Sequence, residues 1–198
     1  MILNWPLLCI LLIFYATHSI LADLGVKARL HAIVPTRYYR IMYNLVSIAF
    51  VITIAWICVE SPKTSLIELP VWITAIGWVG FVGGFVLNLL ALSQYDGAEF
   101  IGTSYLNQTV ETKAGLGGKL NRSGINTWVR HPIYSSILLI AWAWFLISPN
   151  IEVLQIAVIT TVYIPIGIHY EERKLIAEFG DAYRSYQREV KKIIPGIW

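Results

Sequence analysis

The sequence predicts an all-α integral membrane protein of about five transmembrane helices. A polar pocket is expected on one face of the membrane, with a helical segment along the interface near the C-terminal end. Three observations carry this reading. Of the 198 residues, 57% are hydrophobic and only 14% charged, with a mean hydropathy of +0.62. Soluble domains carry about 25% charged residues, and one soluble core of this size could not bury so much apolar surface. The apolar residues gather in five runs, near 3–22, 41–59, 69–93, 133–149 and 151–169, and about 20 residues of helix cross a bilayer. Finally, fourteen of the fifteen Lys and Arg residues follow runs one, three and five; Lys63 is the exception.

The first run lacks a basic leader and is longer than a signal-peptide core, so it reads as a retained span. The third contains Gly77, Gly80, Gly83 and Gly84, whose spacing puts small residues on one face for helix packing or for a substrate groove. The fourth and fifth are short and joined by "SPN" (Ser148 to Asn150), a turn signal that predicts a helical hairpin. With five spans, the basic bias places the N-terminus outside and the C-terminus in the cytoplasm. The polar segments 23–40, 95–131 and 170–198 then share the cytoplasmic side, and the expected location is a bacterial inner membrane. The net charge of +3 follows from this topology, and no nucleic-acid motif accompanies it. Cys9 and Cys58 lie in apolar runs with no C-x-x-C pair, so no metal site is expected. The chain reads as one domain, 1–198, with a cofactor-binding part at about 113–195. Membrane lipids are its expected surroundings, and the oligomeric state is left open.

The chemistry concentrates where "WVRHPIY" (Trp128 to Tyr134) enters the fourth span. A hairpin brings Arg130, His131 and Tyr134 beside Glu171 and Glu172, which leave the fifth. Both signs of charge then meet at the membrane boundary, an arrangement suited to a zwitterionic ligand. Snorkelling interfacial residues with a structural salt bridge are the plainer alternative for any one of them. In the tail, Leu175, Phe179, Tyr183, Tyr186 and Val190 recur at helical spacing, with a break expected at Gly180. Tyr183 and Tyr186 either pack this helix or line a pocket for an aromatic ring. His18 sits among apolar neighbours near the end of the first span, and an ionisable group there marks a functional candidate. It serves either as a general base for a thiol acceptor or as a partner of Asn44, Asn88 or a loop carbonyl. His169 adjoins the glutamates and is expected to orient them, and His31 reads as a solvated loop residue.

"VRHPIY", a hairpin, "EERKLIAEFGDAYRSY" and a late "IP" together resemble the isoprenylcysteine carboxyl methyltransferase superfamily, over about residues 128–195. That group includes phospholipid N-methyltransferases and methanethiol S-methyltransferase, and its members use S-adenosylmethionine. "THSILA" (17–22), "YRIMYNLVS" (39–47) and "YDGAEFIG" (95–102) are similar to the NnrU and methanethiol methyltransferase branch. The resemblance implies a membrane methyltransferase acting on a small or lipophilic acceptor: a thiol, a prenylcysteine carboxylate or a lipid. It implies that Glu171 and Glu172 hold the cofactor's ammonium or ribose, that Arg130 and His131 hold its carboxylate or fix the loop, and that Tyr134 closes over it. It further implies that Pro132 opens span four. Gly115 and Gly117 of "GLGG" either let backbone approach the cofactor, as in phospholipid methyltransferases, or form a flexible loop, and Tyr183 and Tyr186 are candidates for its site. His18 and Arg130 are the expected catalytic residues. The branch also contains haem-dependent members, so an NnrU-like haem protein or isomerase is the alternative, with His18 as one axial ligand. The chain departs from the superfamily at Ile125 and Asn126, where Gly-x-Tyr is usual, and at Ser135 and Ser136, where a glycine is common.

Overall fold

A computed structural model of the protein describes residues 3–62, 64–106 and 120–197. The described chain is helical, with isolated bridges and no strand. The long helices are α1 (Trp5–Ala22), α3 (Thr36–Glu60), α4 (Val71–Leu92), α6 (Pro132–Ile147) and α7 (Ile151–Phe179). The short ones are α2 (Leu24–Leu30), α5 (Gly97–Ile101) and α8 (Asp181–Glu189). A helix lies over each of the five apolar runs, and the SPN turn joins α6 to α7 as a hairpin. α1, α3, α4 and α7 are long and apolar enough to cross a membrane, and α6 is shorter at 16 residues. It runs antiparallel beside α4. Gly77 faces Leu146 and Ile147, Gly80 faces Ala143, and Gly84 faces Ile140.

The glycines make that approach possible. A Cβ on Gly84 would stand 2.7 Å from Ile140 Cγ1 and 3.2 Å from the Ile140 backbone nitrogen. Packing is therefore the use of this face. Gly83 is the correction: about 100° around the helix from Gly84, it meets nothing within 4 Å.

α7 is the central element. Leu7 and Leu11 of α1 and Cys58 of α3 are buried against Ile156 and Ile159 of α7. Hydroxyl pairs tie the same interface, Tyr15 to Thr160 at 2.6 Å and Ser19 to Tyr163 at 2.9 Å. Such pairing satisfies polar groups where water cannot. At one end of the bundle the Asn4 amide donates to Ser61 Oγ at 2.7 Å and to Glu152 Oε1 at 3.2 Å. Trp5, Trp56 and Trp72 are exposed at that same end, the residue type that membrane proteins concentrate at the bilayer surface.

The fifth apolar run stops near residue 169, but its helix continues to Phe179. Beyond 169 the chain supplies Glu, Arg, Lys, Leu and Ala, strong helix formers that are not membrane-like. Gly180 ends α7 with φ of 56°, a left-handed conformation that favours glycine. α8 then turns back across the end of the bundle, where the candidate site lies.

Candidate functional site

The residues before α6 are held by the tail of the chain. Arg130 N donates to the Lys191 carbonyl at 2.8 Å and His131 N to that of Lys192 at 3.0 Å. Ser135 Oγ donates to the Ile193 carbonyl at 2.7 Å. This anchorage sets the position of the Arg130 guanidinium. Its Nε and Nη2 donate to Glu172 Oε1 at 3.0 and 2.6 Å, and its Nη1 donates to the carbonyls of Gln187 and Val190. The Arg130 side chain is only 5% exposed and that of Glu172 11%. His131 Nε2 approaches the same Oε1 at 3.2 Å, and Tyr183 donates to it from 3.4 Å. One carboxylate therefore collects an arginine, a histidine and a tyrosine. The sequence brings these groups together as expected, but as a buried internal ion pair.

Tyr186 is also buried and donates to the Asn126 carbonyl, with the Arg122 guanidinium 5.2 Å over its ring. Burial pushes the Tyr183 hydroxyl up and that of Tyr186 to about 12, so both stay protonated donors. The departures from the superfamily pattern fall in this packing. Asn126 receives Tyr186. Ser135 receives the tail. Ser136 accepts from Asn88 Nδ2 at 2.8 Å.

Burial opposes charge on His131, but the hydrogen bond to Glu172 and the nearby Glu171 carboxylate outweigh it and raise its pKa. A raised imidazole stabilises the fold fully below its unfolded pKa of about 6.5, and that contribution disappears as pH climbs through the raised value. Melting temperature should therefore fall from about pH 6 to about pH 9 more steeply in wild type than in His131→Gln. Parallel pH profiles for the two proteins would remove this role from His131.

In front of the buried pair lies a cavity of about 450 Å³, bounded by α1, α2, α3, α6 and α7. That volume is within the usual range for small-molecule sites. Glu171 faces it with a side chain 40% exposed, and Lys174 lies one turn further along α7. Tyr43, Tyr134 and Tyr163 line its inner part together with His18. The Tyr43 hydroxyl is 2.9 Å from His18 Nδ1 and 2.7 Å from Nε2, while Ser47 Oγ is 3.4 Å from Nδ1. The expected partners lie elsewhere: Asn44 donates to Phe100 and Ile101 carbonyls, and Asn88 to Ser136. Gly167 leaves room for two of the tyrosines, because a Cβ there would come 3.3 Å from the Tyr134 hydroxyl and 3.4 Å from the Tyr163 ring.

Of the residues singled out in the sequence, His18, Tyr134 and Glu171 line the cavity. Arg130, His131, Glu172, Tyr183 and Tyr186 do not, and Pro132 is buried as the first residue of α6. Gly115 and Gly117 lie outside the described residues. His169 is exposed with its ring against Tyr170 rather than the glutamates. His31 is half-buried against the Tyr39 ring at 5.0 Å, not a solvated loop residue. Sequence reading missed Tyr43, Tyr163 and Lys174. Tyr163, Gly167, Glu171 and Lys174 recur at helical spacing; a span ended at 169 cuts this stripe in half.

The sequence of this chain matches the NnrU protein family over residues 6–191. The chain belongs to the NnrU family. That family falls within the isoprenylcysteine carboxyl methyltransferase-like superfamily, as the sequence motifs indicate. Among the similar proteins, methanethiol S-methyltransferase of Pseudomonas deceptionensis is 26% identical over 211 residues, covering 98% of this chain and 75% of that protein. The methanethiol S-methyltransferase of Mycobacterium tuberculosis is 28% identical over 191 residues, covering 95% and 76%. Methanethiol S-methyltransferase 1 of Bradyrhizobium diazoefficiens is 31% identical over 144 residues, covering 72% of this chain and 46% of that protein. No solved structure matches this NnrU-family chain.

Proposed function

We propose that the protein is a membrane-embedded methyltransferase that uses S-adenosylmethionine and methylates a small thiol in this cavity. One observation carries the reading: a half-exposed carboxylate, Glu171, faces the same cavity as a wall of tyrosines and the His18–Tyr43 pair. The residues fit the cofactor. Aromatic faces attract a sulfonium cation, and an available carboxylate accepts from an ammonium. When bound, the cofactor supplies a methyl group activated by its sulfonium. Glu171 holds its amino group, Tyr134 and Tyr163 face its cationic centre, and the apolar walls exclude water. Arg130 and Glu172 act one layer back by fixing the loop that carries His131.

The acceptor's proton is the task of His18. A thiol with a pKa near 8.5 is mostly protonated at neutral pH. A neutral imidazole accepts that proton at a ring nitrogen as the S–H bond breaks, and the Tyr43 hydroxyl stays hydrogen-bonded to the ring. The relatives' names support a thiol acceptor. The basic bias of the sequence supports a cytoplasmic site, with the N-terminus outside and the protein in a bacterial inner membrane. The bis-histidine form of the haem alternative finds no support, because among the four histidines only His18 lines the cavity.

Full-length protein in lipid vesicles, supplied with methyl-labelled S-adenosylmethionine and methanethiol, should yield labelled dimethyl sulfide. His18→Ala should slow turnover about 100-fold at neutral pH, the lower range for a general base. The deficit should shrink above about pH 8.5, where the thiol ionises unaided. A Soret band in the purified protein, or no binding of S-adenosylhomocysteine, would defeat the reading. A deficit that does not change with pH would remove the base role from His18.

A further inference from the structure

The cavity needs a positive group if it is to hold a zwitterion, and the buried arginine cannot supply one. All three Arg130 nitrogens already donate to Glu172, Gln187 or Val190. Arg130 and His131 both stand behind the cavity wall. Among the described residues, the lysine or arginine that lines the cavity is Lys174. It sits three residues after Glu171, on the same face of α7, and side chains at that spacing are neighbours about 5–6 Å apart at Cβ.

Lys174 Nζ donates to the Ala22 carbonyl, at the last turn of α1. An ammonium has three donors, so two remain. Asp23 and Glu171 influence Lys174 electrostatically, but neither closes an ion pair with it. Asp23 is already engaged, accepting from Gly25 N at 2.9 Å and Val26 N at 3.0 Å to cap α2. A lysine that only capped α1 would need no place on the cavity wall. A cation and a carboxylate one helical turn apart match the two charges of an α-amino acid group, which are carried on a single carbon.

We infer that Lys174 receives the α-carboxylate of the methyl donor's amino-acid tail while Glu171 receives its ammonium. This rests on the methyltransferase reading and assigns a residue that the R-H-P-x-Y and E-E motifs leave out. The consequence is selectivity: the site discriminates donors that carry the carboxylate from those that lack it.

Calorimetry on the full chain in lipid nanodiscs tests this with two ligands, S-adenosylhomocysteine and its decarboxylated analogue. Wild type should bind the first more tightly, by about 10-fold, the scale of one charge-assisted hydrogen bond. Lys174→Met should abolish the preference by weakening the first ligand alone, and Lys174→Arg should restore it. Equal weakening of both ligands would mean that Lys174 only braces α1, and the inference fails. An unchanged preference in Lys174→Met overturns it as well, while leaving the methyltransferase reading intact. If wild type binds neither ligand, both readings fall together.

Discussion

Arg130→Ala is expected to destabilise the protein by about 3–5 kcal/mol, because it leaves a buried carboxylate without its main counter-charge. The guanidinium is 5% exposed and bonds Glu172 twice. It also ties the Gln187 and Val190 carbonyls to the start of α6. For a chain of this length the loss corresponds to a melting temperature lower by roughly 10 °C. Arg130→Lys should recover only part of it, since one ammonium cannot copy the planar fork. The measurement is thermal unfolding of the detergent-solubilised protein, read alongside Glu172→Gln and the double variant. Glu172 keeps His131 and Tyr183 as partners, so the two single losses should not add. A variant that melts with wild type would show that the buried pair contributes nothing to the fold.

Glu171→Gln should do the reverse. Its side chain is 40% exposed, and its nearest cationic contact, His131 Nδ1, is 3.6 Å away. Stability should change by less than about 1 kcal/mol, as for a solvent-exposed pair. Binding of S-adenosylhomocysteine should weaken about 10- to 100-fold, the scale of one hydrogen bond to a charged group. Calorimetry and melting on the same sample separate the two effects. Normal affinity in Glu171→Gln would mean that this carboxylate does not hold the donor.

The contrast between these neighbours marks the point where sequence reading stopped. The spans, the SPN hairpin and the glycine face were legible because hydropathy and spacing dictate them. The meeting of R-H-P-x-Y with the two glutamates was legible because a hairpin permits nothing else. The division of labour between Glu171 and Glu172 was not. Consecutive residues on a helix point about 100° apart, so one had to face inward and the other away. Which one does so depends on the rotation of α7, held by the hydroxyl pairs of Tyr15 with Thr160 and Ser19 with Tyr163. Which of its two expected roles Arg130 takes, holding a carboxylate or fixing the loop, was illegible for a related reason. Its partners at Gln187 and Val190 are backbone carbonyls, which carry no signature in side-chain sequence. Tyr183 and Tyr186 followed the expected periodicity, but that pattern cannot distinguish a residue packed under a site from one lining it.

The strands of backbone that steady Arg130 and His131 come from residues 187–193, close to the end of the chain. The loop before α6 therefore closes a ring of backbone that runs through α6, α7 and α8 and returns to its own start. Any shift of that returning tail is carried directly to Arg130 and His131.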